Sequence, residues 1–130
     1  MAAARKIPFP FILDRLFSLD PVTKPMFGCY AVYVSEKIML ILRDREDHTD
    51  ANGIWLATSK EHHASLKKEL PSMKSIYILS NGKNETGWQM ISIDADDFET
   101  SADHLCDLIL KGDPRIGKVP KARKKKAKNY

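Results

Sequence analysis

The residues best equipped for chemistry in this 130-residue sequence are few and scattered. Glu61-His62-His63, with His48, Asp47 and Asp50 in the polar stretch before them, offer imidazole and carboxylate groups of the kind that bind a metal ion. Adjacent histidines on a helix point about 100° apart, so His62 and His63 cannot face one ion as an i, i+4 pair does. A solvated helix start is the reading this pattern favours. "DREDHTD" (44–50) lacks the alternating oxygen ligands and central glycine of a calcium loop. Asp94, Asp96, Asp97 and Glu99 suit a helix N-terminus, where carboxylates complement the dipole, better than an acid–base pair. Cys29 and Cys106 sit in unrelated apolar stretches, as buried reduced thiols do, and two are too few for a disulfide scaffold or a zinc site. No Ser-His-Asp, Cys-His, phosphate-loop or dinucleotide pattern is visible. The expectation is a protein with no catalytic residues, no cofactor, no metal and no small-molecule substrate.

Charge is the next candidate. The chain carries 21 basic and 17 acidic residues, but seven of the basic ones and none of the acidic ones fall in 118–130, "KVPKARKKKAKNY". That leaves 14 against 17 in residues 1–117, a net charge of −3, so the basicity belongs to the tail. Lys118, Lys121, Arg123, Lys124, Lys125, Lys126 and Lys128 are candidates for contact with nucleic-acid phosphates. If all seven engaged duplex phosphates, log K would fall with log salt at a slope of roughly −6. The tail has no interleaved aromatics and no basic recognition helix, so such contact would be weak and indifferent to base sequence. A solubilising extension, disordered when alone, is the competing reading.

Stepping outward, the length suits one domain, and the apolar (43%) and charged (29%) shares are those of an ordinary globular protein. "MAAARKIPFPF" does not read as a signal peptide and no apolar run approaches a membrane span, so cytoplasmic residence without membrane contact is expected. The expected organisation is an N-terminal extension over 1–8, a domain over 9–113 and a basic tail over 114–130.

Within that domain, "FPFILDRLFSLDP" predicts a first helix ended by Asp20-Pro21. Residues 27–34 and 37–43 predict an antiparallel hairpin joined by Ser35-Glu36, a pair poorly suited to a tight turn, which predicts a longer loop. Ile54 to Ala57 read as a third strand, and Thr58 with Glu61 as a capping box opening a helix that ends at Leu70-Pro71. Residues 75–80 and 87–93 read as two further strands. The last helix is capped by Asp96 and Glu99, buried along Phe98, Ala102, Leu105, Leu108 and Ile109, and closed by Gly112 and Pro114. The order α-β(3)-α-β(2)-α predicts an α+β domain, two layers thick, with a mainly antiparallel sheet.

The hairpin is apolar on both sides. Phe27, Cys29, Ala31 and Tyr33 alternate with Gly28, Tyr30, Val32 and Val34, and Ile38, Leu40 and Leu42 with Met39 and Ile41. One layer of helices covers only one side, so the other is expected to meet a protein partner or a second copy of the chain, as a homodimer, with cover by a helix or the N-terminal segment "KIPFPF" of the same chain as the competing reading. Gly28 within the strand predicts a bulge.

Met26-Phe27-Gly28, then Tyr30 and Tyr33, then a tight turn and an apolar strand, resemble the N-terminal domain of the TfoX family, the bacterial regulators of natural competence also called Sxy. The family's strand often reads Met-Phe-Gly-Gly-Tyr-Gly-x-Tyr before an Asp-Gly turn. Here Cys29 and Ala31 replace the second and third glycines, and Ser35-Glu36 the turn. "ISIDADDFETSADHL" (91–105) is similar to the family's last strand and acidic-capped helix, and the likeness runs roughly from residue 10 to 111. The resemblance implies a fold similar to type III secretion chaperones and a non-catalytic, regulatory role through protein contact. It makes Met26, Phe27, Gly28, Tyr30 and Tyr33 the interface candidates.

Overall fold

The structure, a computed structural model, describes residues 7–76 and 87–119. A six-stranded sheet, antiparallel at every pairing, carries three helices on one face. In chain order the elements are α1 (Pro10–Arg15), β1 (Val22–Met26), β2 (Cys29–Val34), β3 (Lys37–Arg43), β4 (Gly53–Leu56), α2 (His63–Glu69), β5 (Lys74–Ser75), β6 (Gln89–Ser92) and α3 (Phe98–Leu110). The strands lie in the order β1-β2-β3-β4-β6-β5, so β1 and β5 are the edges. The expected class, α+β, is what forms, with one strand more than α-β(3)-α-β(2)-α.

That strand is β1, whose residues Val-Thr-Lys-Pro-Met carry no alternating apolar pattern. It pairs along its whole length with β2, from Val22 opposite Tyr33 to Met26 opposite Cys29. Phe27-Gly28 is thus a two-residue hairpin turn and not the start of a strand, which displaces the bulge expected at Gly28. In such a hairpin the residues flanking the turn exchange hydrogen bonds, and the next pair, Pro25 with Tyr30, points its backbone groups outward. Pro25 therefore costs the ladder nothing and removes a donor from the outer edge. With exposed Lys24 beside it, it blunts strand addition at that edge.

The β2–β3 connection is the tight one that Ser35-Glu36 argued against, since Val34 pairs directly with Lys37 and Ser35 accepts φ 60°. The bulge of this sheet lies one strand away from Gly28. The register slips between Val32 and Tyr33, which face Leu40 and Ile38 and leave Met39 as the extra residue. The slip redistributes side chains between faces. Ile38 joins Ala31, Ile41, Trp55 and Met90 in one apolar cluster, while Met39 packs against the other.

That second cluster is the helix-covered core. Val32, Leu40, Leu42, Ile54, Leu56 and Ile91 meet Ile12 and Leu16 near α1, Leu66 and Leu70 from α2, and Leu105 and Ile109 from α3. Each such side chain contributes about 1.5–3 kcal/mol by leaving water. The opposite cluster contains no residue of α1, α2 or α3, yet Ala31, Ile41, Trp55 and Met90 are buried there within a single chain. For these residues the competing reading, cover within one chain, is what forms, and no second chain is needed to bury them.

Local signals set the helix ends unevenly. Gly112, at φ 76°, donates to the Ile109 carbonyl while Asp113 donates to that of Leu108, a Schellman closure of α3. The acidic start differs from expectation. Asp97 is the residue before the helix, and its carboxylate accepts the Ser72 hydroxyl (2.5 Å) instead of capping the backbone, while Asp96 and Glu99 make no cap bond. The Thr58–Glu61 box does not form either, because Thr58 is buried directly after β4, with its hydroxyl lacking a partner. The first helix is shorter than expected, and a 3-10 turn over Phe17–Leu19 replaces its end.

The packed chain runs past the expected boundary at 113. Ile116 is buried in the helix-side core, Gly117 donates to the Ala57 carbonyl, and Lys118 exchanges two backbone hydrogen bonds with Ile38 (2.8 and 3.0 Å). Arg115 clamps this segment to Asp113 (2.7 Å) and to Glu69 of α2 (2.7 Å). Residues 77–80 of the expected fifth strand lie outside the described residues. No helix among the described residues is long and apolar enough to cross a membrane.

Candidate functional site

Four of the five interface candidates gather at the β1–β2 turn. Met26 ends β1, Phe27 and Gly28 form the turn, and Tyr30 follows on β2. Tyr33 stands apart toward the far end of β2, with the Lys24 ammonium 5.0 Å above its ring. At the turn, Phe27 (φ 49°) and Gly28 (φ 81°) are both left-handed, the geometry for which Asn-Gly is the preferred pair. A bulky aromatic at the first position is strained by roughly 1–2 kcal/mol. Phe27 gains no burial in return, being 92% exposed. Phe17 (79%) and Val22 are the nearest comparable cases among the described residues.

The stretch after β3 folds back beside this turn on a buried arginine. Arg43 shares the face of Ile41 by strand alternation and is only 4% exposed. Its guanidinium donates to the Asn52 side-chain carbonyl (2.7 Å), the His48 carbonyl (3.0 Å) and the Asp47 carbonyl (3.1 Å). Asn52, also buried, returns the favour to the loop. Its amide accepts the Arg45 backbone N–H (2.9 Å) and donates to the Arg45 carbonyl (2.8 Å), imitating a ladder rung. Trp55 donates its indole N–H to the Ala51 carbonyl (2.9 Å), closing the loop onto β4.

Arg45 then projects over the turn. Its Nε donates to Asp47 (2.9 Å), and its Nη1 lies where a side chain on Gly28 would begin, 1.5 Å from an ideal Cβ. The φ favours glycine there, and a Cβ would also push the end of the flexible Arg45 side chain from its place over the turn. The Asp47 carboxyl is held below the ordinary range by the hydrogen bond from Arg45. Two hollows flank this pair. One, of about 310 Å³, is walled by Met26, Phe27, Cys29, Ile41 and Trp55 and rimmed by Arg43, Arg45, Asp47 and His48. The other, of about 700 Å³ and more open, is bounded by Pro8, Tyr30, Asp44 and Glu46. The Cys29 thiol on the first wall is pushed up by burial, only partly offset by Arg43 and Arg45, so it is not a thiolate nucleophile at neutral pH. Cys106 is pushed up to about 11 by its burial.

The histidines do not converge with these groups. His63 donates Nε2–H to the Gly87 carbonyl (2.8 Å), His62 lies near Glu61, and His48 contributes a left-handed backbone. Among the described residues no group of three or more His, Cys, Asp or Glu is placed to hold a metal ion. Of the basic candidates Lys118 is part of the packed chain, while Lys121, Arg123, Lys124, Lys125, Lys126 and Lys128 lie outside the described residues.

Arg43, Arg45, Asn52 and Trp55 were not singled out by motif. One signal for them exists in the sequence: alternation from Ile41 places a charged Arg43 on an apolar face, which demands buried acceptors nearby. Comparison of the chain with protein-family models, with curated proteins and with solved structures finds no match.

Proposed function

We propose that this chain is a non-catalytic module, similar to the TfoX N-terminal domain, that works by protein–protein contact at the tip of its first hairpin. The observation that carries the reading is Phe27, an aromatic held in strained left-handed geometry with almost all of its surface in water. Strain kept without a packing gain is a pointer to function. Exposed aromatics are also the residues that anchor interfaces. Arg45, paired with Asp47, packs over Gly28 behind the turn and leaves the Phe27 ring outward. The Met-Phe-Gly sequence and the α+β class support the family resemblance. The burial of both sheet faces moves the contact from the face of the hairpin to its tip.

The experiment compares the full chain with Phe27→Asn and Phe17→Asn by light scattering over a concentration range and by capture from extract of the native cells. Loss of self-association or of a captured partner in Phe27→Asn alone is the result expected. Equal behaviour of all three proteins would overturn the proposal. A second reading, phosphate contact by the basic tail, is favoured by the seven basic and no acidic residues of 118–130. It requires DNA retention that disappears with residues 120–130 and weakens steeply with salt.

A further inference from the structure

The smaller hollow shares Met26 and Phe27 with the contact just described, yet its apolar walls and charged rim give it the make-up of a ligand site that does not depend on that contact. We propose that it binds a small organic monoanion, a carboxylate on a compact aromatic or branched apolar body. Three independent features support this.

The first is size and lining. About 310 Å³ lies at the lower end of small-ligand pockets, and its apolar walls are Met26, Phe27, Cys29, Ile41 and Trp55, with His48 beside them. Such walls suit an apolar body of about the size of a benzene ring with a short arm. The second is charge. Two guanidinium groups, Arg43 and Arg45, stand at the rim against a single carboxylate, Asp47, which both of them share. The remaining carboxylates of the loop, Asp44 and Glu46, border the wider hollow on the other side of Arg45.

The third is the donors that remain. Arg43 spends both terminal nitrogens on Asn52, His48 and Asp47. Arg45 spends only Nε, on Asp47. Its two terminal nitrogens have no protein acceptor among the described residues and are held over Gly28, between the two hollows. That end of a guanidinium is the edge that takes a carboxylate with two parallel hydrogen bonds. The missing side chain at Gly28 gives it room. The ligand would thus lay its apolar body against Trp55 and its carboxylate on Arg45, with Asp47 fixing the guanidinium from the opposite side.

The test is NMR titration of the full chain with phenylacetate, phenylacetamide and phenethylamine, three bodies of one shape and different charge. Saturable shifts at Gly28, Cys29, Arg45 and the Trp55 indole N–H are expected with phenylacetate. The amide and the amine should bind about tenfold more weakly or less, the loss set by one charge-assisted hydrogen-bond pair. Arg45→Met should bring phenylacetate down to the level of the amide and leave the amide unchanged. An unchanged backbone spectrum confirms that the variant is folded, and Arg45→Lys, which keeps the charge without the paired donors, should retain only part of the affinity. Equal binding of all three probes, shifts confined to other residues, no saturable binding of phenylacetate, or an Arg45→Met protein that binds it as well as the parent would each overturn the proposal.

Discussion

At the scale of single residues, the turn sets local stability against exposure. Phe27 occupies a position whose φ asparagine tolerates far better, and no packing is lost on replacing it, since its side chain is 92% exposed. Phe27→Asn is therefore expected to raise the unfolding free energy by about 1 kcal/mol in urea denaturation. A fall instead would mean that the ring does stabilise the fold. Most mutations destabilise, so a gain accompanied by loss of partner contact would mark a residue retained for use rather than for folding. The sequence offered Met26-Phe27-Gly28 as a motif but placed Phe27 and Gly28 inside a strand. Phenylalanine is a strand residue by propensity, and only the pairing of Met26 with Cys29 makes it a turn. Arg43 illustrates the converse, because its burial follows from alternation with Ile41, while the acceptors that make burial tolerable come from a loop without a pattern.

At the scale of elements, helices and central strands were legible and edges and caps were not. The buried stripe of α3 and its closure at Gly112 follow from spacing and from one glycine. By contrast β1 has lysine and proline where a strand pattern would be apolar, because an edge strand buries little and is selected to resist pairing. The bulge at Met39 was likewise invisible, since either alternation of Ile38 and Met39 is apolar and only the register decides between them. The segment after α3 is held by charge. Glu69 and Asp113 are both lowered below their ordinary values by hydrogen bonds from Arg115, with His104 also donating to Glu69 (2.9 Å). Carboxyl groups depressed in the folded state contribute stability that is fully present above their ordinary values and lost as pH falls through the folded ones. Stability should therefore decline on acidification below the ordinary values of 4.5 for Glu69 and 3.8 for Asp113. Arg115→Gln should flatten that decline while leaving the neutral-to-alkaline side parallel to the parent. A decline of the same steepness in Arg115→Gln would show that other carboxyls dominate acid unfolding.

At the scale of the whole molecule, the sheet is sheltered on both faces, so the hairpin's double-sided apolarity is explained by two clusters in one chain and not by a missing partner. The sequence showed that both faces needed cover but could not say whose, because the residues that join the second cluster from outside the hairpin, such as Ala51, Ala57 and Ile76, lie far apart in sequence. The same limit hid the true end of the packed chain. Ile116 is one apolar residue in a polar stretch, and its neighbour Arg115 is held by Glu69 of α2, far away in sequence. A chain ending at Asp113 should lose about 1.5–3 kcal/mol through Ile116 alone, with a lower melting temperature, whereas one ending at Val119 should melt with the full chain. Equal melting of the Asp113-terminated protein would contradict the packed segment.

The central claim is that the outward-facing Phe27 touches another protein. Placing a photo-activatable phenylalanine analogue at position 27, and in parallel at position 17, within the native cells measures that contact at the side chain itself. A discrete protein adduct from position 27, absent from position 17, is the outcome expected. No adduct from position 27, or the same adducts from both positions, would contradict it.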